Sequence, residues 1–193
     1  MKENVISVLL NQKSIQFLFD IFEKESKDIC LVGGCVRDAF LGKISRDIDI
    51  AANINPDEII NILNKNNLTH ENYAFKYGSI TTSIDDNKFQ ITSLREDIKQ
   101  TGRHTNIIFT DEWEKDALRR DFTINAIYLL RDGQLKDFFN GQEDINNRTI
   151  RFIKNIENSI QEDFLRIFRY YRFLGAFEDP RIIKKYDEII LRY

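Results

Sequence analysis

Histidine, cysteine and tryptophan are scarce in this 193-residue chain, at two, two and one. His70 and His104 are too few for the histidine-rich centres of metal hydrolases, so any metal chemistry falls to carboxylates. Cys30 and Cys35 form no C-x-x-C pair. They read as reduced, buried thiols of a cytoplasmic protein and argue against zinc. No apolar run approaches the length of a membrane span, and the polar N-terminus lacks the pattern of a signal or transit peptide. An excess of positive charge is also missing. Lys and Arg number 28 against 31 Asp and Glu, for a net charge of −3. A nucleic-acid partner would therefore be held by a local patch or by another chain. What is present suffices for a folded domain: 42% hydrophobic residues, 15 of all residues Phe, allow a packed core, and 31% charged residues a soluble surface. The length allows one domain, or one domain and part of a second. No internal repeat or low-complexity segment interrupts it.

The most informative stretch is Leu31 to Ala51, LVGGCVRDAFLGKISRDIDIA. It reads as strand, Gly-Gly turn, short helix and second strand. Gly33 and Gly34 let the backbone turn tightly and approach a ligand. Cys35 to Leu41 is helical in pattern, with Gly42 as its stop. Free N–H groups at the helix start would face a phosphate, and Arg37 adds a forked cation. Asp47 and Asp49 alternate with Ile48 and Ile50, so both carboxylates share one strand face while the isoleucines enter the core. Adjacent carboxylates repel unless a cation lies between them, and oxygen-only ligands suit Mg²⁺. A plain turn and a solvated strand face explain each piece separately. Together they favour a phosphate and metal site.

Along the rest of the chain, residues 4–24 carry apolar side chains at helical spacing, with a break near Asn11. Asn55-Pro56-Asp57-Glu58 is a helix start, and that helix runs to about Lys65. Two β-like runs, Tyr77 to Ile84 and Lys88 to Arg95, flank a hairpin turn at Asp85-Asp86-Asn87. Asp97 to Arg103 reads as a polar loop and Glu112 to Leu118 as a short helix. Arg119 and Arg120 can pair with triphosphate oxygens, and Asp121 can accept from a ribose hydroxyl; taken alone, a surface salt-bridge cluster is the simpler reading. A hairpin around Asp132-Gly133 precedes a short strand at Thr149 to Ile153 and a helical pattern from Ile156 to Phe177. On one helix, Asp163 and Arg166 are neighbours, and Arg169 and Arg172 each drift about 60° further, so the four would not grip one small group. From Arg166 to Tyr193, seven Lys and Arg face four Asp and Glu, a local net charge of +3 suited to a phosphate backbone.

GGCVRD with RDIDIA, then RRDFTINA, the Asp137 to Ile145 segment and EDFLRIFR resemble, in order, motifs of class II CCA-adding enzymes and bacterial poly(A) polymerases, within the polymerase-β-like nucleotidyltransferases. The resemblance implies an α+β fold: residues 1–150 as a head with a small mixed β-sheet and flanking helices, and residues 151–193 as the beginning of an all-α neck. It implies transfer of CMP or AMP from CTP or ATP to a tRNA 3′ end, with Mg²⁺ held by Asp47 and Asp49. Gly33, Gly34, Arg37, Arg119 and Arg120 would contact the triphosphate, and Asp121 would select ribose. Asp163 and Arg166 would read the base, with Arg169 and Arg172 supporting them or binding phosphate. Two departures stand out. Gln90 takes the place of a usual Glu, so Gln90 offers a metal only a carbonyl oxygen, with Asp85 or Asp86 as a compensating acid. Thr101 replaces an Asp in a loop where Arg95, Asp97, Gly102 and Arg103 match. An enzyme adding only A, a poly(A) polymerase and a non-catalytic nucleotide-binding relative are the alternatives. The family's tRNA-binding body and tail would come from a second subunit or a further C-terminal region.

Overall fold

The computed structural model describes residues 5–101 and 104–193, the side chains of 99–105 excepted. Two helices, α1 (Val5–Leu10) and α2 (Lys13–Glu23), open the chain and break at Asn11-Gln12 as the periodicity predicts. Strand β1 (Ile29–Val32), helix α3 (Gly34–Phe40) and strand β2 (Asp47–Ala52) follow, with Gly42 ending the helical turn at a φ of 79°. Helix α4 (Pro56–Lys65) starts at a capping box: the Glu58 N–H donates to Asn55 Oδ1 at 2.9 Å, and the Glu58 carboxylate accepts from the Asn55 N–H.

Next come β3 (His70–Glu71), β4 (Ser79–Ile84), β5 (Asn87–Ser93) and the separate hairpin of β6 (Arg95–Thr101) and β7 (His104–Phe109). Helix α5 (Trp113–Leu118) leads to β8 (Ile127–Leu129), β9 (Leu135–Asp137) and α6 (Gly141–Asn146). Helices α7 (Ile156–Glu162), α8 (Leu165–Leu174) and α9 (Lys184–Ile190) complete the chain.

Seven strands form one mixed sheet in the order β3-β4-β5-β2-β1-β8-β9. Only β2 and β5 pair in parallel; the other neighbours are antiparallel. Alternation divides the faces. Leu31, Ile48, Ile50, Phe89 and Ile91 turn to the main core with the apolar sides of α1 to α4. Cys30, Val32 and Ala51 turn to the other face, where Ala117 and Tyr128 form a smaller cluster beside Trp113. Asp47 and Asp49 stand on this second face by the same alternation. Both cysteines are free and buried. The main core runs on into the C-terminal helices through Ile156, Ile160, Tyr170, Phe173 and Ile189.

Three expectations are corrected. Asp97 to Thr101 is not a loop but part of β6, paired with β7 across an irregularity between Asp97 and Lys99; the β-branched Ile98, Ile107 and Ile108 favour that pairing. Gly102 and Arg103 lie outside the described residues. Thr149 to Ile153 forms isolated bridges, Phe122 with Phe152 and Thr149 with Arg181, instead of a strand. Its partner segment turns into a 3₁₀ helix at Thr123–Asn125, which stops the ladder. The helical pattern from Ile156 to Phe177 divides into α7 and α8, because Asp163 is extended, with φ −156° and ψ 104°. Its Oδ1 accepts the Leu165 N–H at 3.0 Å, so Asp163 caps the next helix instead of continuing the last.

Candidate functional site

The two carboxylates sit at the start of β2, beside β5. Register pairs Asp47 with Lys88 and Asp49 with Gln90. Gln90 thus occupies the neighbouring strand position on the same face as Asp49, where a third acid was expected. Asp85 and Asp86 form the two-residue turn between β4 and β5 and do not compensate: among the described residues, no three His, Cys, Asp or Glu side chains gather to hold a metal. The donors that do share this face, Asp47, Asp49 and Gln90, are all oxygens and fit a hard divalent cation. Burial raises the Asp49 pKa; Arg120 and the Gly34 N–H oppose that shift, and the neighbouring Asp47 adds to it. A cation between the two acids would relieve both the desolvation and the repulsion.

The diglycine turn is shaped by this carboxylate. Gly33 has a φ of 76°, and a Cβ there would lie 3.0 Å from Asp49 Oδ2. The Gly34 N–H favours the charged form of this carboxylate, opposing the effect of burial. Arg37 is held from three sides. Its Nε and Nη2 donate to Asp38 Oδ1 at 2.9 and 2.8 Å, its Nη1 donates to Asn125 Oδ1 at 2.7 Å, and its guanidinium lies 4.5 Å from the Phe173 ring centroid. Asn125 in turn donates through Nδ2 to Asp121 Oδ1 at 3.0 Å. Asn125 and Phe173 were not singled out by the sequence reading, although Asn125 lies within RRDFTINA.

Arg119 and Arg120 are anchored by a residue that reading also missed. Asp116, 1% exposed, accepts from Arg119 Nε and Nη2 at 2.9 and 2.7 Å, from Arg120 Nη2 at 3.2 Å and from the Tyr128 hydroxyl at 2.7 Å. Burial works against its ionisation, but Arg120 and Arg119 overcome it and hold its pKa down at about 2. The signal was available: an acid three and four residues before two arginines in a helical pattern. Nearby, burial and the Arg119 charge bring the Arg95 pKa down to about 10.

The residues of α7 and α8 are arranged differently from the single-helix expectation. Arg166, 5% exposed, donates through Nη1 to Glu162 at 2.8 Å and to the Ser159 carbonyl at 3.3 Å, rather than pairing with Asp163. Asp163 pairs instead with Arg169 Nη2 at 2.7 Å, and Arg169 Nη1 lies 3.3 Å from Asp121 Oδ2. The buried Nε atoms of Arg166 and Arg169 have no hydrogen-bond partner.

These parts meet in one cavity of about 420 Å³. Gly33, Gly34, Asp49, Asp121 and Asn125 line it with Arg37, Arg119, Arg120, Arg166, Arg169, Arg172 and Phe173. Three arginines of α8 reach it together, without Asp163; positions 166, 169 and 172 span an arc of about 120°, an ordinary helix face. Asp47, Gln90 and Asp163 do not line it. Six arginines therefore face two carboxylates in a chain whose net charge is −3. A larger cavity of about 660 Å³ opens near Cys30 and Trp113, but its charges cancel locally: Lys27 pairs with Glu58, and Arg131 with Asp20 and Glu23. The convergent charge makes the smaller cavity the candidate site.

The chain is similar in sequence and in fold to known proteins. The human mitochondrial CCA tRNA nucleotidyltransferase 1 is 40% identical over 168 residues, 86% of this chain and 39% of that protein. The crystal structure of the Bacillus stearothermophilus CCA-adding enzyme in complex with CTP superposes with a TM-score of 0.73 at 30% identity, covering 84% of this chain and 39% of that one. A tRNA nucleotidyltransferase complexed with a primer tRNA and an incoming ATP analog gives a TM-score of 0.74 at 25% identity, over 90% and 48%. The chain spans about two fifths of the length of the curated relatives it matches. Among the described residues no helix is long and apolar enough to cross a membrane. The family model of the poly A polymerase head domain matches residues 29–151, and the chain belongs to that family.

Proposed function

We propose that this chain transfers CMP and AMP from CTP and ATP to the 3′ hydroxyl of tRNA, as in addition or repair of the CCA end. The observation that carries this reading is the six-arginine cavity opening beside Asp49 and the diglycine turn. Its charge matches a triphosphate, and its depth brings head and neck residues to one nucleotide. In the reaction the 3′ oxygen attacks the α-phosphorus, the bond to the β-phosphate oxygen breaks, and pyrophosphate leaves. Arg37, Arg119 and Arg120 bind the triphosphate and offset the charge that builds on the leaving group. Asp121 receives the ribose hydroxyl. Arg166 donates to ring acceptors of cytosine or adenine, and Asp163, once exchanged from Arg169, accepts from their exocyclic amine. Asp47 and Asp49, with Gln90 alongside, would hold Mg²⁺, which when bound acidifies the attacking hydroxyl and neutralises phosphate charge.

The deciding experiment is incorporation of radiolabelled nucleotide into tRNA ending before CCA, given CTP alone, ATP alone or both. CCA addition predicts C-extended product with CTP alone and full product only with both. A-extension with ATP alone would point to an A-adding enzyme or a poly(A) polymerase. Asp47→Ala should lower incorporation by at least about 100-fold; unchanged incorporation would remove the carboxylates from the mechanism.

Gln90 opposite Asp49 favours a second reading, a non-catalytic nucleotide-binding relative. Under it, calorimetry shows CTP binding without turnover, and Gln90→Glu restores incorporation. Grip on the tRNA beyond its acceptor end is assigned to additional polypeptide of the kind that makes up the rest of the longer relatives. The buried free thiols of Cys30 and Cys35 support a reducing compartment, the cytoplasm in this reading.

A further inference from the structure

We propose that Asp116 is a positioning residue that fixes Arg119 and Arg120 for the triphosphate. This rests on the nucleotide reading above. Helix α5 presents Asp116 three and four residues before the two arginines, so its carboxylate lies beneath both. Every direction around it is filled: besides the arginine and Tyr128 donors, the Arg95 backbone N–H reaches Asp116 Oδ1 at 3.3 Å. Arg120 is further tied by Nε to the Tyr128 hydroxyl at 3.3 Å and by Nη1 to the Asn125 carbonyl at 3.5 Å. Both guanidinium planes are thus set, and both line the cavity.

Without a carboxylate beneath them, two adjacent cations would repel each other and turn to an acid facing the cavity. Asp49 is within reach: Arg120 Nη1 and Asp49 Oδ2 lie 3.6 and 3.0 Å from the same point, where a Cβ on Gly33 would sit, and Arg120 already acts on the Asp49 carboxylate. Asp116 therefore keeps the phosphate-binding cations off the carboxylate proposed to hold the metal. A merely structural ion pair would support the fold alike for every ligand. A positioning residue acts on the β- and γ-phosphates only.

Calorimetric titration of the full chain with CTP and with CMP separates the two. The wild-type protein should prefer CTP. In Asp116→Asn the CTP-over-CMP preference should fall about tenfold while CMP affinity moves less than about threefold, as expected for misplaced charge-assisted bonds. An undiminished preference in a folded Asp116→Asn protein overturns the proposal. If that variant fails to fold, Tyr128→Phe decides; it removes one bond to Asp116 and one to Arg120, and should lower the preference about threefold. No change there overturns the proposal equally. A wild-type chain that binds neither nucleotide brings down the nucleotide reading itself, and this proposal with it. That result is distinct from an intact wild-type preference that the variants preserve.

Discussion

At the scale of single residues, charge state decides what the site can do. Asp116 stays ionised despite burial because two guanidinium groups lie against it, and its folded pKa of about 2 is below the ordinary 3.8. Its ion pairs therefore add stability that is complete above the unfolded value and is lost as pH falls through the folded one. The contribution is roughly 2 kcal/mol. Urea denaturation from pH 6 to pH 2 should show this loss in the wild-type protein and a flatter profile in Asp116→Asn; parallel profiles would refute the assignment. Asp116 was absent from the sequence reading because a buried acid and an exposed one look alike in sequence. Only the spacing to Arg119 and Arg120 hinted at it. Asp47 and Asp49 were legible for the opposite reason: strand alternation with Ile48 and Ile50 fixes their direction whatever surrounds them. Gln90 was recognised as a missing acid by resemblance, but its place beside Asp49 follows from the parallel register of two strands about forty residues apart, which no local pattern encodes.

At the scale of elements, local signals located most helices and hairpins. The Asn55 capping box, whose side chains satisfy the backbone beside them, and the Gly42 stop and Asp85-Asp86 turn, where Gly42 and Asp85 take positive φ, are cases where a residue sets its own local backbone, so the sequence carries them directly. The break between α7 and α8 is such a case too, but it was read past, because the apolar spacing runs on through Asp163. In the proposed reading that break bears on specificity. It turns Asp163 away from Arg166 and onto Arg169, and Arg169 joins it to Asp121. In the proposed reading, the base and ribose contacts are thereby linked through one guanidinium. Asp163→Ala removes the cap on α8 and should cost about 1 kcal/mol of stability. It should also leave Arg169 to Asp121 alone. The expected outcome is a lower melting temperature, together with a smaller preference for CTP over UTP in binding. A loss of stability with unchanged base preference would limit Asp163 to its capping role.

At the scale of the whole molecule, the sheet and the C-terminal helices α7 to α9 share one hydrophobic core. Phe122 lies tilted against Phe152 at 4.7 Å between centroids and meets Phe173 of α8 edge-on at 5.5 Å. Tyr170 lies against the same cluster, and Arg37 reaches Phe173 from α3. Sequence proximity could not reveal this, since the aromatic residues come from separate parts of the chain and meet only after folding. A shared core implies shared unfolding. Trp113, the single tryptophan, reports on the head, while far-UV circular dichroism reports on all helices, including those of the neck. The two thermal transitions should therefore coincide. Because the cavity is built from both parts, CTP at about 100 times its dissociation constant should stabilise them together by about 2.7 kcal/mol. For a chain of this size that corresponds to a rise of roughly 5–10 °C in both signals. If CTP moved the Trp113 transition and left the helical signal in place, the nucleotide would be held by the head alone, and the neck arginines would have no part in binding it.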